Sequence, residues 1–404
     1  MSMGWAKVAL SDLTEKDRSI TYGVVKPGDE VEGGVAFIRG GDVSQGRIAT
    51  GALRTIGSQL SQTYKRTLLR GGELLISLVG NPGEVAIAPA SLEGANIARQ
   101  VGLVALRPEI DALFVMYFLM SPLGRAELFT RTGGAVQQVI NLADLKTIRV
   151  PMPSTVVQKR IADTLSAYDD LIENNRRRMA LLEESARLLY REWFVRLRFP
   201  GYEHTLIADG VPQGWERKTL AQLTSFLKRG ITPTYDDDAE GLVVNQKCIR
   251  DGRVNLELAR NQSKEVKPER VLQIGDVLVN STGEGTLGRV AQVKVSLVNC
   301  TVDTHVTIVR PNESVGRHYF GQAVMDWEPR FSTMGKGATN QTELSPAAIG
   351  ETAILVPPHT LLEQFETFAE PVYEQVTNLT QQNQKLRAAR DLLLPRLMSG
   401  ELTV

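Results

Sequence analysis

Apolar positions along this chain follow two alternating regimes. From Met1 to about Arg149, short runs such as Val35-Ala36-Phe37-Ile38, Leu74-Leu75-Ile76 and Val85-Ala86-Ile87 are punctuated by glycine. Runs of this length between turn residues predict strands, joined by loops such as Gly80-Asn81-Pro82-Gly83. The cluster from Leu113 to Phe129, carrying Phe114, Tyr117, Phe118 and Leu128, predicts a helix. The period then changes. Ile161, Leu165, Tyr168, Ile172, Asn175, Met179, Leu182, Ala186, Leu189 and Trp193 are spaced by alternating steps of four and three. That spacing is a coiled-coil seam, with Asn175 its polar member. Pro151 and Pro153 stay outside the helix, Ser154 or Thr155 caps its start, and Phe199-Pro200-Gly201 ends it. About 40 residues at ~1.5 Å each make a rod on the order of 60 Å long.

Both regimes then recur. From Gly214 to Leu355, strand-like runs return as Leu242-Val243-Val244, Val277-Leu278-Val279 and Val306-Thr307-Ile308-Val309. A second seam follows Pro357-Pro358 through Phe365, Ala369, Val372, Val376, Leu379, Leu386, Leu393 and Leu397, interrupted by Asn383 and Arg390. Pro371 is tolerable only near the first turn or at a kink, and Pro395 predicts a late break before Ser399-Gly400. Short segments repeat as well. Gly4-Trp5 answers to Gly214-Trp215, Gly72-Glu73-Leu74 to Gly275-Asp276-Val277, Arg107-Pro108 to Arg310-Pro311, and Val150-Pro151 to Val356-Pro357. The expected fold is α+β, with two mixed, strand-rich modules (1–150 and 201–356), each followed by a long helical region (151–200 and 357–404). Either helix alone exposes an apolar stripe. Pairing the two as an antiparallel coiled coil buries both stripes and gives the chain a pseudo-two-fold repeat. The alternative is that each helix folds back on its own module.

Charge narrows the function. The chain has 46 basic and 46 acidic residues, which argues against holding nucleic acid by bulk charge and leaves local basic faces open. Cys248 and Cys300 are the only cysteines, so neither a disulfide framework nor a cysteine metal site is expected. No apolar run approaches ~20 residues, and the first residues lack a basic-then-apolar signal, so a cytoplasmic protein with no membrane partner is expected.

Catalytic motifs are weak. Gly283-Glu284-Gly285-Thr286-Leu287-Gly288 fits a dinucleotide fingerprint in form, but the fingerprint needs a helix next. Arg289 to Val295 alternate as a strand instead, so a hairpin or bulged loop is expected. There is no P-loop, and no Asn-Pro-Pro-aromatic or Asp-Pro-Pro-Tyr segment, which an amino-methyltransferase acting on a flipped base would need. His204, His305, His318 and His359 lack metal-ligand spacing, and Asp236 to Glu240 read as a solvated loop. No catalytic residue, metal or cofactor is assigned to this chain. Polar recognition residues are better represented: Arg39, Arg47, Ser77, Asn81, Gln137 and Gln138 in the first module. The second has Lys247, Arg250, Arg253, Asn280, Ser281, Thr282, Lys336, Asn340 and Gln341. Arginine pairs bidentately with guanine, and Asn or Gln with adenine, although the same residues also finish turns. Similar scaffolds with different loop chemistry are what reading two different sequences requires.

The segments Leu171-Ile172-Glu173-Asn174-Asn175, Leu188-Leu189-Tyr190-Arg191-Glu192-Trp193-Phe194 and Leu393-Leu394-Pro395-Arg396-Leu397-Met398-Ser399-Gly400-Glu401-Leu402 carry a resemblance. So does the Val-Pro-x-Pro start of the first helix, with Gln158-Lys159-Arg160-Ile161. Over essentially its full length the chain resembles the specificity (S) subunits of type I restriction-modification systems, the HsdS family. The resemblance implies two target recognition domains, each reading one half of a split double-stranded DNA target. It implies that the helices set the gap and dock two methyltransferase (M) subunits, which carry S-adenosylmethionine and methylate adenine N6. Where restriction (R) subunits are present, two of them add ATP- and Mg-dependent translocation and cleavage. Arg176 to Arg178 and Glu183-Glu184 are then candidates for M-subunit contact. The competing reading is a coiled-coil scaffold or adaptor that reads no DNA, and a standalone enzyme ranks third.

Overall fold

The computed structural model describes residues 4–129, 139–335 and 342–404. It divides into two compact units: Met1–Asn174 with Asn383–Val404, and Asn175–Gln382. This division cuts across the four successive segments expected from sequence. Each unit holds one strand-rich module and a stretch of both long helices.

The two modules share one topology. In the first, the strands Thr21–Tyr22, Val101–Val104, Leu74–Ser77 and Val85–Ile87 form an antiparallel sheet in that order. A second sheet places Val35–Ile38 between antiparallel Arg54–Ile56 and parallel Asn96–Ile97. In the second module Thr224–Arg229, Val306–Pro311, Val277–Asn280 and Val290–Gln292 repeat the four-stranded sheet. Gly241–Val244, between antiparallel Arg260–Gln262 and parallel Cys300–Val302, repeats the three-stranded one. Each module is closed by pairing an early strand with its last: Lys7–Ala9 with Arg149–Pro151, and Glu216–Thr219 with Ala353–Val356. The strands Leu74–Ser77 and Val277–Asn280 are buried at every position. This explains why they read as continuous apolar runs and not as alternating ones.

The same buried staple holds both sheets. Glu73, just after Gly72, accepts the Arg70 amide at 2.7 Å and the Arg18 guanidinium at 2.8 Å. Asp276, just after Gly275, accepts the Gln273 amide at 2.8 Å and a forked pair of bonds from Arg310 at 2.7 and 2.8 Å. The repeated glycine-acid start is therefore a structural device, and the arginine that answers it comes from a different part of the chain in each half.

The segment from Leu113 to Phe129 is two helices, Ala112–Met120 and Pro122–Phe129, bent by 76°. Pro122 excludes helical geometry at Ser121, whose ψ is 160°. Gly124 then sits so close to the Phe118 carbonyl that a Cβ would meet its oxygen at 2.0 Å.

The long helices run Thr155–Tyr190 and His359–Met398. The first ends sooner than Phe199-Pro200-Gly201, passing into a π turn at Arg191–Val195. The second continues through Pro371 and Pro395 to Met398, with neither the kink nor the late break expected of them. Thr367 and Pro371 are exposed, so the carbonyl released by the missing N–H of Pro371 faces water, while buried Ala369 and Tyr373 hold the helix on the module. At Pro395, buried Leu394, Leu397 and Met398 do the same.

Within each unit the helices are antiparallel. In the first, Asp169 pairs with Arg390, and Asn383 Nδ2 donates to the Ile172 carbonyl at 3.3 Å. In the second, Thr380 Oγ1 meets Met179 Sδ at 3.3 Å, and the Tyr190 and Phe365 rings lie 6.2 Å apart. Every seam position expected in the first helix is buried or half-buried, including Asn175. In the second helix Tyr373 and Leu394 go deeper than their neighbours Val372 and Leu393, because modules as well as helices pack there. Among the described residues no single helix is long and apolar enough to cross a membrane.

Candidate nucleic-acid interface

Each module carries a short hairpin with a two-residue turn. Gln45-Gly46 joins Val43–Ser44 to Arg47–Ile48, and Asp251-Gly252 joins Ile249–Arg250 to Arg253–Val254. All four turn residues have positive φ (50° and 79°, 53° and 70°), the type I′ geometry that suits strand twist and favours glycine second. Arg47 and Arg253 directly follow the turns, and both side chains are engaged. Arg47 donates to the Asp169 carbonyl at 2.8 Å and pairs with Glu173 at 2.9 Å. Arg253 pairs with Glu183. Glu183, expected on an exposed face, is half-buried and also holds Lys294 at 3.2 Å.

The other sequence candidates separate by burial. Ser77, Asn280 and Ser281 are wholly buried and point inward, which corrects their assignment to recognition loops. Asn280 donates to the Gln246 and Thr286 carbonyls at 3.1 Å each, and Ser281 shares a bond with Thr307 at 2.6 Å. Thr282 is half-buried between Gln246 and His305. The loop they support is the hairpin expected of the glycine motif: Gly283, Gly285 and Gly288 have φ of 107°, 68° and 77°, and a strand follows. No helix begins there to receive a phosphate.

Arg39, Asn81, Lys247 and Arg250 are exposed. Arg39 forks onto Asp42 at 3.1 and 3.0 Å, and this hydrogen-bonded carboxylate raises its pKa. Asn81 stands in the 80–83 loop. Lys247 lies on a single turn capped by Asn245, and its ammonium has no partner among the described residues. Gln137, Gln138, Lys336, Asn340 and Gln341 lie outside the described residues.

Sequence reasoning missed a basic cleft in the first module. Its cavity of about 540 Å³ is lined by Asp17, Arg18, Ser19, Thr21 and Lys65, with Arg66, Leu68 and Arg70. Arg18 is committed to Glu73, and Arg70 is 3.9 Å from Glu15. Lys65 and Arg66 are exposed and have no partner among the described residues. The signal was present as the basic run Lys65-Arg66 with Arg70 nearby. Unpaired cations at a concave surface are what a phosphate backbone requires.

His318, Glu366 and Glu370 also converge, with potential ligand atoms within 4.8 Å of one another. Sequence spacing hid this cluster, because the carboxylates come from the second long helix. These donors are already used. Glu366 accepts the His318 and Tyr319 amides at 3.1 and 2.9 Å, and Glu370 holds Arg317 and His318. The cluster therefore caps the helix Arg317–Met325 and fastens it to the long helix. Burial draws the His318 pKa from 6.5 down to about 4; Glu370 opposes this shift, and Arg317 and Lys294 add to it. The unfolded chain thus binds this proton below pH 6.5 while the folded one does not, so stability falls as pH drops from about 6.5 towards about 4. In H318Q this contribution, on the order of 2 kcal/mol, should vanish. Denaturation of both proteins at pH 7 and 4.5 checks it, and an equal loss in both would refute it.

A family model for the type I restriction modification DNA specificity domain matches residues 3–184. The specificity subunit of the MjaIX type I restriction enzyme of Methanocaldococcus jannaschii is 26% identical over 286 residues, 68% of this chain and 65% of that protein. The EcoBI specificity subunit of Escherichia coli is 33% identical over 175 residues, 42% of this chain and 36% of that protein. The chain thus spans less than two thirds of either relative's length. The crystal structure of a type I restriction-modification S subunit from M. genitalium shares the fold, with a TM-score of 0.59 at 18% identity over 97% of this chain and 96% of that one. With the doubled module and the paired helices, these matches make the chain similar to the specificity (S) subunits of type I restriction-modification systems, HsdS.

Proposed function

We propose that this chain is the DNA-reading subunit of a type I restriction-modification enzyme and is not itself catalytic. Each module reads one half of a split double-stranded target, and the helix pair sets the gap. The helices also dock two M subunits, which bring S-adenosylmethionine. R subunits, where the system has them, bring ATP and Mg. The expected setting is the cytoplasm. The observation that carries this reading is the doubled module. Two copies of one topology present different exposed side chains, Arg39 and Asn81 in one and Lys247 and Arg250 in the other. Phosphate contacts would position each module, and base-edge contacts would specify.

Lys65 and Arg66 are assigned to phosphate contact. K65A and R66A should each weaken binding evenly across sequences and reduce the slope of log affinity against log salt by about 1. Titrating the complex of this chain with its M partner onto DNA at several salt concentrations reads the slope. A slope equal to wild type would remove both residues from the interface. Sequence-independent binding by the wild-type complex would favour the scaffold reading instead.

A further inference from the structure

In each unit, separate parts of the module converge by polar contacts on one turn of the long helices. In the first unit that turn is at Asp169. Its carboxylate accepts the Tyr117 hydroxyl at 2.7 Å and pairs with Arg390 of the second long helix. Its carbonyl receives Arg47, whose other guanidinium nitrogen pairs with Glu173 at 2.9 Å. The module thus grips from two places, the hairpin and the helix Ala112–Met120. In the second unit Glu183 holds Arg253 of the corresponding hairpin and Lys294. Lys294 Nζ stands 4.5 Å over the Tyr373 ring, and Gln322, on the helix Arg317–Met325, donates to the Tyr373 hydroxyl at 3.0 Å. The two clasps use the same parts of the module with different chemistry.

We propose that Asp169 and Glu183 are positioning residues that fix the angle of each module on its stretch of helix, and so the gap that the assembled enzyme accepts. The inference rests on the split-target reading above. Apolar packing of Ile161, Leu165 and Phe114, or of Phe365 and Tyr319, holds a module on the helices, but burial is non-directional and resists tilting weakly. Charge-assisted hydrogen bonds depend steeply on distance and angle. The sensitivity required is small. A tilt of about 5° over a module on the order of 40 Å across moves its far face by about 3.4 Å, one base-pair step. A module free to tilt would therefore accept targets one base pair too long or too short.

The test is methylation mapping in a methylation-free host that expresses the M partner with wild type, D169N, E183Q or Y117F. Y117F removes one hydrogen bond to Asp169 and leaves charge and packing in place, so it decides the matter if D169N fails to assemble. Expected are unchanged half-site bases, with selectivity for the wild-type gap over gaps one pair longer or shorter reduced about tenfold in D169N and E183Q. Y117F should move in the same direction. A role confined to stability would lower methylation at all sites and leave that ratio alone. Gap selectivity equal to wild type in the variants that assemble overturns the proposal. A wild-type chain that directs no split motif overturns the functional reading instead, so the two failures are distinct.

Discussion

Replacing Asp276 with alanine should lower the stability of the second unit by about 3–5 kcal/mol, the usual cost of leaving a buried charge without its partner. Asp276 is fully buried, and the Arg310 side chain is 12% exposed. The guanidinium is also bound to the Glu269 and Val271 carbonyls at 3.2 and 2.8 Å, so it cannot swing into water without breaking those bonds. D276A thus strands a cation on an inner strand of the four-stranded sheet. The double variant D276A/R310M removes both charges and should recover most of the loss, since an apolar pair of similar volume is often neutral. Urea denaturation of the three proteins distinguishes the cases. A loss below about 1 kcal/mol in D276A would mean that the pair behaves as a surface ion pair. The corresponding E73A change should cost less, because Glu73 Oε2 has no partner to lose.

A matched insertion into both long helices should change the target itself. Seven residues added after Arg178, with seven after Thr380, preserve the seam and lengthen the pair by two turns. At ~1.5 Å per residue and ~3.4 Å per base pair, the accepted gap should grow by about three base pairs. The two sites lie opposite each other, as the Met179–Thr380 contact indicates. Inserting into one helix alone shifts Asn383 and Arg390 out of register with Ile172 and Asp169, and should abolish specific methylation. Mapping modified adenines reads both variants. A matched insertion that leaves the gap unchanged would count against the helices as a ruler.

Much of this architecture was legible in the sequence because it rests on periodicity. The four-three seam announced both long helices, and the polar seam members Asn175, Asn383 and Arg390 are buried or half-buried as expected. The glycine-acid repeat marked equivalent strands. What the sequence concealed depends on tertiary packing. Pro371 and Pro395 sit within a continuous helix because neighbouring side chains anchor it. Ser77 and Asn280 looked like loop residues, yet both lie on strands buried on both faces, where no alternation betrays which way a side chain points. The clasps were hidden for another reason. Arg47 and Arg253 stood out as candidate base readers, but nothing local indicates that their partners are helix glutamates far along the chain. The Lys65-Arg66 run was visible in the sequence, but the cleft it lines with Arg18 and Arg70 exists only once the chain is folded.

The measurement that tests the central claim most directly is genome-wide mapping of modified adenines in a methylation-free host expressing the M partner with and without this chain. The account predicts a split motif with one fixed gap that appears only when the chain is present. A stable complex of the two proteins that leaves methylation independent of this chain would contradict it.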